Sequence, residues 1–343
     1  MNNQITVQPL FSYKKLFSSF TKKNTNSGKY LYDSGRSSLY IAIKCLLDND
    51  YPIKQILLPD LICNDIIPIL DSHNLIIKFY PVDEKLNPDL DYIENEAKNN
   101  FSIIFIVNYF GSASNWNKVL ELKEKIDCVI IEDNAHSLYG KENNIHFGEL
   151  GDISFNSLRK ILPLLSGSEL KINIKALSNK YFSSYRMPNI SELIISLRSL
   201  KPKKFKFKNT PVFNKKYRNN SLSIDYFSKY ILNNEEKYKN LTCMTRQNNF
   251  KYWQSLLKNS DLEFINLKKS ICPYVMPCYA NDEHSLNKWT KWANKNSINI
   301  IRWPDFPTTH NHSLKHSKLR RIICFPVNQY HDLNKLPLTN DFS

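Results

Sequence analysis

Glycine is scarce in this chain, 7 residues in 343. Each remaining glycine is therefore read as a backbone necessity rather than as filler. No C-x-x-C pair exists among the seven cysteines, at 45, 63, 128, 243, 272, 278 and 324. Scattered thiols of this kind exclude a disulfide framework and read as reduced, mostly core-filling residues of a cytoplasmic protein. The opening "MNNQITVQPLFSYKK" lacks a continuous apolar core, so no signal peptide is expected. No apolar run approaches the roughly 18 residues of a membrane span. Internal repeats and long low-complexity tracts are absent as well.

What is present is a large apolar complement, 42% hydrophobic and 13% aromatic residues, and a formal net charge of +15. The first is ample for one large domain and a smaller one. The second favours an anionic partner without naming it. "QILLPDL", "LIIKFYPVD", "FSIIFIVNYFG" and "CVIIEDNAH" read as strands. They alternate with helical stretches, "RSSLYIAIKCLLDND", "NDIIPILDSHN", "DLDYIENEAKNN" and "NWNKVLELKEKID". This alternation predicts an α/β fold, a mostly parallel sheet wrapped by helices. From about residue 240 the pattern changes to helix "RQNNFKYWQSLLKN", strand "YVMPCYA", helix "EHSLNKWTKWANKN" and strand "INIIRWP". The division expected is an N-terminal arm over 1–30, a large domain over 31–238 and a small α+β domain over 239–343.

Chemistry enters at "CVIIEDNAHSLYG", residues 128–140, where a buried strand runs into Glu132 and Asp133. In parallel α/β sheets ligands sit outside the carboxyl ends of the strands. Taken alone, Asp133 reads as a helix cap or an ion-pair partner. The next block changes that: "GDISFNSLRK" carries a short strand into Arg159 and Lys160. A lysine facing the same crevice as a strand-end aspartate suits pyridoxal phosphate. The amine holds the cofactor's aldehyde covalently. The aspartate keeps the pyridine nitrogen protonated, since a close ion pair at an effective dielectric of ~20 contributes about 4 kcal/mol, or ~3 pK units. A third element, "YDSGRSSLYIAI" (32–43), opens a helix with Gly35, Ser37 and Ser38, which suit a phosphate, and with Arg36. The same stretch also reads as an ordinary Ser-capped helix.

These motifs, in this order, resemble the DegT/StrS-type sugar aminotransferases among the fold type I pyridoxal-phosphate enzymes. "SGRSSLYIAI" is similar to the family's phosphate loop, and "LLPDLICNDIIPIL" to its Pro-containing strand end. "FYPVDEKLNPDLDYI", "VNYFG", "IEDNAH" and "GDISFNSLRK" follow in the family's sequence, as do "INIIRWPDFP" and "RIICFPVNQYH" near the end. The resemblance implies an aspartate-aminotransferase-like fold. It implies Lys160 as the covalent lysine, Asp133 as the pyridine partner and His136 beside the phenolic oxygen. Ser157, with Ser37 and Ser38, would hold the phosphate. Gly35, Arg36, Cys63 and Asn108 would complete the chain's own cofactor contacts. A homodimer with shared sites is implied, in which Lys216 of "KKYR" reaches the neighbour's phosphate. Arg302 and Arg218 are the implied substrate contacts.

Four departures mark a divergent member. Asp60-Leu61-Ile62-Cys63 offers no aromatic where the family stacks one on the cofactor ring. Arg36 replaces a threonine, Ser168 interrupts a Gly-Gly pair, and the serine-to-lysine spacing in "SLRK" is tight. One family branch replaces the lysine by histidine and dehydrates its substrate; Lys160 points away from it. "HNHSLKH" (310–316) has metal-like spacing but reads as a polar loop, so no metal is expected. "KPKKFKFKN" (201–209) reads as a solvated or interface segment rather than a nucleic-acid strip. Trp253, Trp289, Trp292 and Trp303 are spaced like core and interface anchors. The function implied is amino transfer from an amino acid, glutamate in the family, to a keto sugar, nucleotide-linked, in surface polysaccharide or amino-sugar synthesis. The alternatives are a degenerate or different pyridoxal-phosphate protein on the same scaffold, or a basic anion- or nucleic-acid-binding protein.

Overall fold

The structure, a computed structural model, describes residues 5–9, 30–177, 185–188, 223–268, 272–303 and 318–335. Its larger sheet has seven strands: β1 Tyr30–Tyr32, β2 Gln55–Pro59, β3 Ile76–Tyr80, β4 Ser102–Val107, β5 Cys128–Asn134, β8 Ile153–Asn156 and β9 Ser168–Ile172. The short hairpin β6 Lys141–Glu142 and β7 Ile145–His146 stands apart from it. The strand order is β1-β9-β8-β5-β4-β2-β3. β3, β2, β4, β5 and β8 pair in parallel, and β9 runs against both its neighbours. Parallel strands covered on both faces read as unbroken apolar runs, and β2 and β4 are buried at every position. The mostly parallel α/β sheet predicted from the sequence is what forms.

The crossover helices are α1 Gly35–Leu47, α2 Ile67–Asp71, α3 Leu90–Ala97 and α4 Trp116–Lys123. α1 starts at an N-cap, Ser34, whose hydroxyl accepts from Ser37 N, and it buries Leu39, Ala42, Ile43 and Leu46. α2 is shorter than the stretch "NDIIPILDSHN" suggested. A 3-10 turn, Asn64–Ile66, precedes it, and Pro68 sits in its first turn, where a missing N–H is tolerated.

Beyond α5 Tyr226–Glu235 and α6 Lys239–Leu256 lies a second sheet, β10 Leu262–Phe264, β11 Val275–Ala280, β13 Ile322–Pro326 and β12 Ile301–Arg302, with α7 Glu283–Lys295. Its order is β10-β11-β13-β12 and every pairing is antiparallel. β11 is buried throughout, and its alternation divides it. Met276, Cys278 and Ala280 join Trp253, Trp289 and Phe325 in a second core, while Val275 and Tyr279 join the main one. The expected strand over 298–304 is shorter: Ile301–Arg302 pair with β13, and Trp303 N donates to Ile322 O at 3.1 Å. Its first half is engaged elsewhere: Ile5 N donates to Ser297 O and Asn299 N to Ile5 O. Residues 5–9, part of the expected arm, thus lie against this second unit. No described helix is long and apolar enough to cross a membrane.

The ends of β4 and β5 are locked by one carboxylate. Glu132 is fully buried and accepts from Gly148 N (2.8 Å), Leu150 N (3.1 Å) and Gly151 N (3.2 Å), and from the side chains of Asn108 and Asn134. Gly151 is required there, because a Cβ would sit 2.9 Å from Glu132 Cβ. We expect Glu132→Ala to leave three buried amides unsatisfied and to cost about 3–5 kcal/mol in urea unfolding. An unfolding free energy within about 1 kcal/mol of wild type would show that water replaces the carboxylate at little cost.

Candidate active site

The carboxyl ends of β2, β4, β5 and β8 lie side by side along one edge of the sheet, and successive side chains at each end point to opposite faces. Glu132 and Asn134 go to the back, into the network just described. Asp133 goes to the front. It is 6% exposed and accepts a single hydrogen bond, from Ala135 N at 2.7 Å. Burial pushes its carboxyl up to about 6, against the pull of that amide and of the Lys160 ammonium. Lys160 ends a 3-10 turn, Leu158–Lys160, after β8. Burial lowers its pKa, opposed by the nearby Cys63 and Asp133. The two groups therefore share a field, each favouring the charged form of the other. Among the described residues Lys160 makes no ion pair and no hydrogen bond through its amine, and its Nζ stands over the ring of Tyr274, 5.6 Å from the centroid.

His136 is the middle ring of a stack. Phe110 lies on one side (5.6 Å between centroids, 9° between planes) and Tyr274 on the other (4.7 Å, 19°). Trp303 meets His136 and Phe110 edge-on at 5.4 and 5.1 Å. Phe110 holds a left-handed φ of 56° to present its ring, and Gly111 follows at φ 96°, where a Cβ would stand 2.6 Å from Cys272 O. Burial, then the Lys160 charge, hold His136 well below its ordinary pKa, so it is neutral. Its Nδ1 is buried without a hydrogen-bond partner.

The remaining expected residues divide. Ser157 is buried, and among the described residues its hydroxyl has no partner. Gly35 opens α1 against β8, with space for a Cβ only 3.3 Å from Asn156 O. Cys63 is exposed at the start of the turn after β2 and lies within charge range of Lys160. Arg36 pairs with Asp65 at 3.6 Å. Three placements correct the sequence reading. Ser38 is wholly buried and shares a hydrogen bond with Ser168 (2.7 Å), the residue that interrupts the Gly-Gly pair, so its hydroxyl is engaged inside the fold. Asn108 spends all four of its amide's hydrogen bonds internally, on Glu132, Asn134, Ser114 N and Trp116 Nε1. Arg302 is exposed and paired with Glu283 at 2.6 Å on the second unit. Ser37 donates to the Asp33 carboxylate, which also receives Ser34 Oγ. Lys216, Arg218, 201–209 and 310–316 lie outside the described residues. No metal-binding group of three or more His, Cys, Asp or Glu occurs among the described residues.

Sequence reasoning missed Tyr274, Phe110 and Arg159. Tyr274 precedes β11, over 110 residues from Lys160, and no local pattern connects them. Arg159 adjoins Lys160, lies near Arg36, Asp33 and Asp65, and has no hydrogen-bond or ion-pair partner among the described residues. A free amine, a carboxylate with a spare oxygen, a neutral imidazole with an unpartnered nitrogen and a free hydroxyl are the complement that pyridoxal phosphate needs. The residues fit the group.

Residues 74–167, which contain Asp133, His136, Ser157 and Lys160, match the model of the DegT/DnrJ/EryC1/StrS aminotransferase family. The aminotransferase TlmJ from Streptoalloteichus hindustanus superposes with a TM-score of 0.72 at 16% identity, over 96% of this chain and 94% of that one. The putative sugar aminotransferase Spr1654 from Streptococcus pneumoniae, in its PLP form, gives 0.71 at 10% identity, over 97% and 95%. The E. coli GDP-4-keto-6-deoxy-D-mannose-3-dehydratase with bound hydrated PLP gives 0.67 at 16%, over 96% and 97%. At these identities the superpositions show the fold. No curated protein sequence matches the chain.

Two predictions follow from the charges. Asp133 has a folded pKa above its unfolded value, so its contribution to stability is full below about pH 4 and is lost as pH rises through about 6. Asp133→Asn should therefore stabilise the cofactor-free protein at pH 8 by up to about 3 kcal/mol and change little at pH 4, read as the shift in thermal midpoint. Equal shifts at both pH values would refute a buried, ionised Asp133. Asp33 places a carboxylate at the N-terminus of α1, where it repels any phosphate. Asp33→Asn should tighten pyridoxal phosphate several-fold and leave unphosphorylated pyridoxal unchanged in a fluorescence titration. Unchanged affinity for both would remove α1 from the phosphate site.

Proposed function

We propose that this chain, which carries the DegT/DnrJ/EryC1/StrS aminotransferase signature over residues 74–167 on the fold of the pyridoxal-phosphate aminotransferases, transfers an amino group from an amino acid to a keto sugar. Pyridoxal phosphate, when bound, supplies an aldehyde carbon that exchanges amines and a protonated ring that withdraws electrons from the bond being broken. The observation that carries the reading is that Asp133 and Lys160, whose amine makes no ion pair among the described residues, stand close enough for each charge to act on the other.

Lys160 would hold the cofactor covalently through Nζ, and the same amine, when neutral, would be the base available to carry a proton there. Burial lowers its pKa, which raises the neutral fraction available near neutral pH. Asp133, ionised above about pH 6, keeps the pyridine nitrogen protonated. Neutral His136 orients the phenolic oxygen through a ring nitrogen. Ser157 and the Gly35 backbone hold the phosphate, with Arg36 and Arg159 adding positive charge. The rings of Phe110, Tyr274 and Trp303 pack around His136 and fix its plane.

The finer assignment is a nucleotide-linked keto sugar, with glutamate as donor, in surface polysaccharide or amino-sugar synthesis. The net charge of +15 supports a diphosphate-bearing substrate. Lysine at position 160 supports transamination over the dehydration associated with histidine in the resembling family. Homodimeric sites completed by Lys216, and a cytoplasmic location suited to seven free cysteines, belong to the same proposal.

The test is spectroscopic. Borohydride reduction of the loaded protein should place the phosphopyridoxyl group on Lys160, and Lys160→Ala should abolish it. Glutamate should bleach the absorbance of the loaded protein, and a keto-sugar nucleotide should restore it. A loaded protein whose spectrum no amino acid alters would reject amino transfer and support the binding-protein alternative.

A further inference from the structure

Lys160 must keep its amine unpaired and yet fixed in position. Ion pairs and hydrogen bonds would hold it but would also consume it. Among the described residues, what lies against it is a ring face, that of Tyr274 at 5.6 Å. That ring is more tightly constrained than a filler residue needs to be. Its backbone N–H donates to Phe110 O at 2.9 Å, and its carbonyl accepts from Arg246 Nη1 at 3.2 Å. Its hydroxyl accepts from Gln8 Nε2 at 3.2 Å, and its other neighbour is the His136 ring at 4.7 Å. Burial pushes the phenol up to about 12, so the ring stays neutral and presents its electron-rich face. The stretch Asp60-Leu61-Ile62-Cys63 contains no aromatic residue that could present a ring face to the amine from the large sheet.

We propose that Tyr274 is a positioning residue: delivered from the second unit, its ring is the platform that holds the Lys160 amine in place and orients His136 without engaging either by a hydrogen bond. This deepens the reading above and rests on Lys160 as the reactive amine. The charged and titratable groups that face Lys160 are Cys63, Asp133, Arg159, Asp65 and the neutral His136. Of these, Arg159 also feels Tyr274 and His136 stacks on its ring, so Tyr274→Phe, which keeps the phenyl face, is the control for effects passed through them.

The experiment uses the full-length protein without cofactor. Trace labelling with acetic anhydride across pH 6–11, with peptide mass spectrometry, reads the ionisation of Lys160. Stopped-flow absorbance reads its rate of capture of pyridoxal phosphate. Tyr274→Phe retains the ring face and should match wild type in both. Tyr274→Leu keeps the apolar wall but loses the attraction of the ring for the ammonium. Its Lys160 pKa should fall by about half a unit, and the plateau rate of capture at high pH, where the amine is neutral throughout, should slow about three-fold because the ring no longer positions it. Tyr274→Met, a flexible filler of similar reach, should behave like Leu and replaces it if the Leu variant does not fold. Wild-type ionisation and capture in a folded Leu or Met variant would overturn the proposal and leave Tyr274 as packing alone. Loss of both in Tyr274→Phe would overturn it as well, by assigning the effect to the hydroxyl. A wild-type protein in which Lys160 captures no pyridoxal phosphate would instead reject the cofactor reading, while the pKa comparison would still decide the role of Tyr274.

Discussion

One buried carboxylate sets the position of the reactive groups. Glu132 collects three backbone amides from the loop 148–151 and the side chains of Asn108 and Asn134. It thereby ties the ends of β4 and β5 to the segment that becomes β8. Because side chains alternate along a strand, anchoring Glu132 to the back forces Asp133 to the front. The same clamp fixes where β8 begins, and hence where the turn bearing Lys160 ends. Burying a carboxylate is costly, and desolvation raises its pKa, but a full set of donors offsets that cost.

The second constraint is the contact between the two units. Arg246, wholly buried on α6, donates to Pro273 O and Tyr274 O and, through Nε, to Gln329. Gln329 in turn donates to Ile161 O, one residue beyond Lys160. Gly111 lets Cys272 O approach where any side chain would collide. The positions of Tyr274 and of the Lys160 turn are therefore coupled through backbone carbonyls rather than through exposed ion pairs, which contribute little. The surface bridges, such as Arg302 to Glu283, are of that weaker kind.

The crevice also carries charge at a cost to stability. Asp133 and Asp60 both stand at strand ends with carboxyls pushed up by burial, to about 6 and about 7. A protein selected for stability alone would not keep acids there. Phe110 adds backbone strain in the same place. These penalties gather at the carboxyl ends of the parallel strands β2, β4 and β5.

The sequence by itself determined the strand–helix alternation, the parallel sheet and the placing of Asp133 and Lys160 at neighbouring strand ends. Those features follow from periodicity and order along the chain, which are local properties. It did not determine which polar residue faces which side. Asn108 and Ser38 resemble ligand-binding positions, yet each turned inward, because a partner far along the chain, Glu132 or Ser168, offered a hydrogen bond there. Nor did it reveal the ring stack, whose members come from residues 110, 136, 274 and 303. Only the docking of the second unit brings Tyr274 and Trp303 to His136 and Lys160. That contact depends on shape and on long-range pairing, and a linear pattern carries neither.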